Sequence, residues 1–128
     1  MSRSTMDELV DQHAWLADAY HAKGDLLRAE AERTIEERLL KAEIAVDPKA
    51  MDLQDTWIAL QRAMAALERQ RGNTDAALAR LERALNKAEE MAAYDPLNRE
   101  WAKTVMRVEA DIANTKQVHA RKENSNAH

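Results

Sequence analysis

Cysteine and phenylalanine are absent from the chain, and glycine and proline occur only twice each. Without cysteine there are no disulfides, no thiolate metal ligands and no sulfur nucleophile. Two glycines and two prolines leave room for few turns, and the stretches of Ala, Leu, Glu, Lys, Arg and Gln between them favour helix. No segment alternates in the manner of a strand, and no apolar run approaches membrane-crossing length. Aromatics make up 4% of the residues, so a core would have to be built from small side chains on closely approaching helices. There is no excess of positive charge either: 19 basic against 23 acidic residues give a formal charge of −4, which disfavours a coat for nucleic acid. Met1 to Glu8 run straight into charge and show no apolar signal core. The expectation is one cytoplasmic all-α domain, with neither a membrane nor a nucleic acid as partner.

What the chain does have is a repeat. Lys23-Gly24 recurs as Arg71-Gly72, and Val46-Asp47-Pro48 recurs as Tyr94-Asp95-Pro96, both at a shift of 48 residues. The same shift lays Leu53 on Trp101, Trp57 on Val105, Leu60 on Val108 and Met64 on Ile112; backwards, it lays Trp57 on Leu9, Met64 on Leu16 and Leu67 on Ala19. These rows step by three and four residues, which is one face of a helix. The breakers then divide the chain into five helices, at 6–22, 26–46, 50–70, 74–93 and 97–119, between a flexible start at 1–5 and a disordered tail at 120–128.

Gly24 and Gly72 fall where a helix must stop, because glycine enters the left-handed region at little cost. Asp25 and Asn73 follow as side-chain caps for the next helix, and Asp47-Pro48 and Asp95-Pro96 offer a cap followed by a residue needing no amide partner. Helix 74–93 carries the cleanest apolar stripe: Ala77, Leu78, Leu81, Ala84, Leu85, Ala88, Met91 and Ala92. Helix 26–46 shares its length and ends but not that pattern. Ile35, Leu39, Leu40, Ala42, Ile44 and Val46 form its apolar surface, and the shift sets Ile35 on Arg83 and Leu39 on Lys87.

Ala14-Trp15-Leu16-Ala17 through Tyr20 to Gly24-Asp25-Leu26 with Ala29, and Gly72-Asn73 through Leu78 with Leu81, Ala84, Leu85 and Asp95-Pro96, resemble the tetratricopeptide repeat. That family's unit is about 34 residues long. The present unit of 48 is longer, which is similar to a long-helix bacterial variant. The resemblance implies an α-α superhelix of antiparallel hairpins, two and a half repeats of it. It also implies a non-enzymatic adaptor whose first helices line a concave groove for a peptide of a partner protein.

On those first helices, Val10, Ala14, Asp18 and His21, then Ile58, Arg62, Ala66 and Arg69, then Met106, Ala110 and Asn114 face away from the Leu and Trp rows. They give an apolar row (Val10, Ile58, Met106) and a small one, and Arg62, Arg69, Lys103 and Arg107 add a basic wall. Such a wall suits an acidic segment or a C-terminal carboxylate, which arginine binds with two donors. The bland alternative is that the apolar row packs helix on helix and the charges are solvated.

Trp57 and Trp101 lie on apolar stripes as core anchors, and Trp15 lies one step off. His13, His21, His119 and His128 do not converge as metal ligands. Glu36-Glu37 and Glu89-Glu90 read as solvated carboxylates paired along the helix with neighbours such as Arg33, Arg83 and Lys87. No cofactor loop, no metal set and no nucleophile with a base stand out, so no enzyme activity is expected. A second reading, of a different class, is a homodimer formed through the exposed terminal helix.

Overall fold

A computed structural model describes residues 2–126. Among them there are five helices and no strand: α1 (Arg3–Ala22), α2 (Leu26–Val46), α3 (Met51–Gln70), α4 (Thr74–Tyr94) and α5 (Arg99–Asn126). The described residues fall into two compact units, divided within α3 between Leu60 and Gln61. In the first unit α1 packs on α2; in the second α4 packs on α5.

The repeat read from the sequence is written into the turns. Among the described residues, Gly24 (φ 79°) and Gly72 (φ 83°) are the positive-φ residues. After α1, the Asp25 amide donates to the Tyr20 carbonyl at 2.9 Å and the Gly24 amide to His21 at 3.0 Å. After α3, the Asn73 amide donates to Glu68 at 2.8 Å and the Gly72 amide to Arg69 at 3.1 Å. Both are six-to-one closures that satisfy carbonyls left over at a helix end, and only glycine makes them without strain.

The caps differ from expectation in three places. Asp25 does cap α2, accepting from the Arg28 amide at 3.2 Å, but the Asn73 side chain caps nothing in α4. Its amide donates instead to the Glu68 carboxylate at 2.9 Å. Asp47 and Asp95 close the helix before them, their amides donating to Glu43 and Met91. Each opens a turn through its carbonyl, Asp47 to the Ala50 amide and Asp95 to the Asn98 amide, so each proline takes the second position of a turn. Asn98 then caps α5, accepting from the Glu100 and Trp101 amides at 3.1 and 3.2 Å.

Helix also reaches further toward both ends of the described residues than the breakers suggest. Ser2 accepts from the Thr5 amide and starts α1 three residues early. The segment 120–126, expected as disordered tail, continues α5: no glycine or proline stops it, and His119 and Glu123 sit 3.0 Å apart one turn on. Residues 127 and 128 lie outside the described residues.

In unit two the interior follows the apolar stripe. Ala77, Leu81, Ala84, Ala88 and Met91 of α4 are buried, and Ala65, Ala77 and Leu81 form a cluster against which Ile112 packs. Unit one holds the correction. The buried residues of α2 are Ala29, Arg33, Glu36, Leu40 and Glu43, whereas Ile35, Ala42 and Val46 are exposed. Each buried position, carried forward by the period, lands on a buried position of α4: Ala29 on Ala77, Arg33 on Leu81, Glu36 on Ala84, Leu40 on Ala88, Glu43 on Met91. The two second helices therefore bury the same register, filled in one with apolar side chains and in the other with charges. On the facing side of each hairpin, Ala17 in α1 and Ala65 in α3 are the matching small, buried residues, which lets helix axes approach closely.

Candidate functional site

The residues singled out from the sequence separate by burial. In unit one Val10 is 4% and Ile58 1% exposed, so two members of the expected apolar groove row are core. The buried line of α1 runs through Val10 and Ala17, leaving Leu9 and Leu16 half-buried: the inward face is turned about one residue from the Leu row. Ala14 and His21 are half-buried, and Asp18 is exposed. In unit two Ala66 and Arg69 are half-buried. Arg62 is tied to Asp111 of α5 by Nε at 2.6 Å and Nη2 at 3.4 Å, so it is a strut between helices and not an open wall. Lys103, Met106, Arg107, Ala110 and Asn114 do come together, as an exposed stripe on α5. Its centre, Met106, is 68% exposed. Lys103 also reaches Glu100, one turn back, at 3.1 Å.

Of the tryptophans, Trp57 and Trp101 are half-buried, the latter in tilted contact with exposed Tyr94 at 6.5 Å between centroids. Trp15 is 71% exposed; with Asp11, Gln12 and Leu16 it borders an open, mostly apolar hollow in unit one.

The feature missed in the sequence is a charged seam between α1 and α2. His13 Nδ1 lies 2.5 Å from the Glu32 carboxylate. Arg33, 8% exposed, donates to Glu36 at 2.8 Å and to Asp18 at 2.6 Å. Glu36 is thus not a solvated carboxylate: burial raises its pKa above the usual 4.5, against the hydrogen bond and charge of Arg33, which pull it down. At the far end of α2, Glu43 is 6% exposed and neither of its oxygens has a hydrogen-bond partner. Burial first, then the like-charged Asp7 carboxyl beside it, push its pKa from 4.5 up to about 7. A cleft of about 240 Å³ opens beside it, lined by Arg3, Met6, Ala42, Glu43, Val46 and Asp47.

The signal that could have exposed this seam was the period itself, read as a register of buried positions and not as a match of residue types. Among the described residues no group of three or more metal-binding side chains converges, and no helix is long and apolar enough to cross a membrane. No protein-family model, no curated protein and no solved structure matches the chain.

Proposed function

We propose that the protein is a non-enzymatic, tetratricopeptide-like interaction module, and that the outer stripe of α5 receives a segment of a partner protein. The observation that carries this reading is Met106. Ile58 and Val10, one and two periods earlier, are 1% and 4% exposed, whereas Met106 at the matching place is 68% exposed. A residue type that the repeat keeps inside is presented to solvent, and exposed apolar side chains rimmed by charge are a common mark of association. Lys103 and Arg107 beside it favour an acidic segment. Arg62, held by Asp111, belongs to the scaffold in this reading.

The test uses fluorescence anisotropy with a pooled set of acidic peptides bearing free C-terminal carboxylates, against wild type and a Met106→Glu, Arg107→Glu double variant. Saturable binding lost in the variant supports the module; no saturable binding, or equal binding by the variant, removes it. The same exposed methionine favours the second reading, a homodimer through α5. Sedimentation equilibrium separates the two, because a dimer that Met106→Glu converts to monomer assigns the stripe to a second copy.

A further inference from the structure

We infer that the Glu43 end of the α1–α2 hairpin is a proton-operated clasp, closed in mild acid and loosened as the carboxyl ionises. The inference begins with a mismatch of chemistry and place. The position that Glu43 occupies in α2 is occupied in α4 by Met91, 3% exposed, so the repeat puts a side chain there that must be dry. A carboxylate in a dry place needs donors, and Glu43 has none for either oxygen.

The surroundings do not supply one. From α1, Asp7 faces it with like charge and Arg3 with opposite charge; from α3 comes Asp52; at the end of α2 itself stands Asp47 in the same cleft. Among the described residues Arg3 is the cation that acts on Glu43, and it is engaged elsewhere. Its Nη2 bonds the Asp52 carboxylate, and its Nη1 lies 3.6 Å from Asp47. The rim carboxylates thus hold the arginine away from the buried one. Nor can a cation from solution reach Glu43 while the clasp is shut, because both oxygens are sealed from solvent. The carboxyl has two ways to be stable: keep a proton, or come out into water.

Burial and Asp7 hold that proton up to about pH 7, whereas an opened, hydrated Glu43 gives it up near the ordinary value of 4.5. Between those values the closed form binds one proton more than the open one, so raising the pH favours opening, by up to tenfold per pH unit. Below that window both forms are protonated, and above it both are ionised, so the dependence vanishes on either side. What moves is the first turns of α1, which carry Arg3, Met6 and Asp7, against the last turn of α2, which carries Glu43 and Val46.

Amide hydrogen exchange by NMR on the full chain, corrected for intrinsic exchange rates, tests the clasp. The wild-type opening constant at the amides of Asp7 to Val10 and Glu43 to Val46 is expected to climb up to tenfold per pH unit from about pH 5 to pH 7, then level off. Glu43→Met, which installs the residue of the matching position, is expected to abolish that climb. Glu43→Gln does the same should the methionine variant fail to fold, since it imitates the protonated acid. Asp7→Asn is expected to lower the upper edge of the window and so narrow it, because it removes the like charge and can donate to the carboxylate. A wild-type opening constant that ignores pH, or a climb that persists undiminished in the Glu43 variants, overturns the clasp.

Discussion

Replacing Arg33 and Glu36 by the residues that stand at their places in α4, Leu and Ala, is the sharpest test of the shared register. The two side chains are 8% and 3% exposed and 2.8 Å apart. Removing one member of such a pair leaves a buried charge behind and costs about 3–5 kcal/mol, whereas replacing the pair with packed apolar groups is close to neutral or stabilising. Arg33→Leu alone strands Glu36, which relieves part of the penalty by taking a proton, as its raised pKa already favours; the low end, about 3 kcal/mol, is expected. Glu36→Ala alone costs less, about 1–3 kcal/mol, because Arg33 keeps Asp18 at 2.6 Å. The double variant is expected within about 1 kcal/mol of wild type, a coupling of roughly 3 kcal/mol or more. Urea unfolding followed by circular dichroism at pH 7 measures all four corners of the cycle. If the double variant loses the sum of the two singles, the pair is not a closed unit in a buried seam, and the equivalence of the α2 and α4 stripes fails with it.

Two further perturbations probe the corners and the strut. An added Cβ would meet nothing within 4 Å at Gly24 or Gly72, so alanine there suffers only the left-handed backbone; each substitution is expected to cost about 1–2 kcal/mol in thermal unfolding. Clearly different costs at the two sites would deny that they are the same corner. Arg62→Glu sets a carboxylate against Asp111 and is expected to lower stability by about 1 kcal/mol. Asp111→Lys in that background is expected to restore it, and a rescue that fails would show that the 2.6 Å contact contributes nothing.

Much of the fold was legible because its signals are local. Gly24 and Gly72 announce left-handed corners whatever surrounds them, and α4 reads as helix because apolar and small residues recur on one side of it. The caps were less legible: Asp47 and Asp95 precede proline as an N-cap does, but which helix such a residue serves depends on where the chain turns, and here it closes the helix behind. The α1 face was misread by one residue because Leu9 and Leu16 are larger than Val10 and Ala17, and size was allowed to stand for burial. Ala17 is buried completely, at 0% exposure, since a tight helix contact selects the smallest side chain.

The charged seam was hidden for a more instructive reason. Reading inward faces from hydrophobicity assumes that burial is bought with apolar surface, and in α4 that holds. In α2 the inherited register put Arg33, Glu36 and Glu43 inside, where hydrophobicity counts them out. The repeat nevertheless contains the answer, since the spacing of Ala77, Leu81, Ala84, Ala88 and Met91 picks out all five positions of its partner once residue type is ignored. Two copies of one scaffold then differ in what holds them together. Unit two fills these five places with apolar side chains, whereas unit one rests partly on protons, with Glu36 and Glu43 both raised above their usual pKa. Both shifts have the same sign, so each carboxyl keeps its proton longer folded than unfolded, and each withdraws stability as the pH climbs past 4.5. The consequence is a first hairpin whose stability falls as the pH climbs, a dependence set by which side chains fill a common set of buried places.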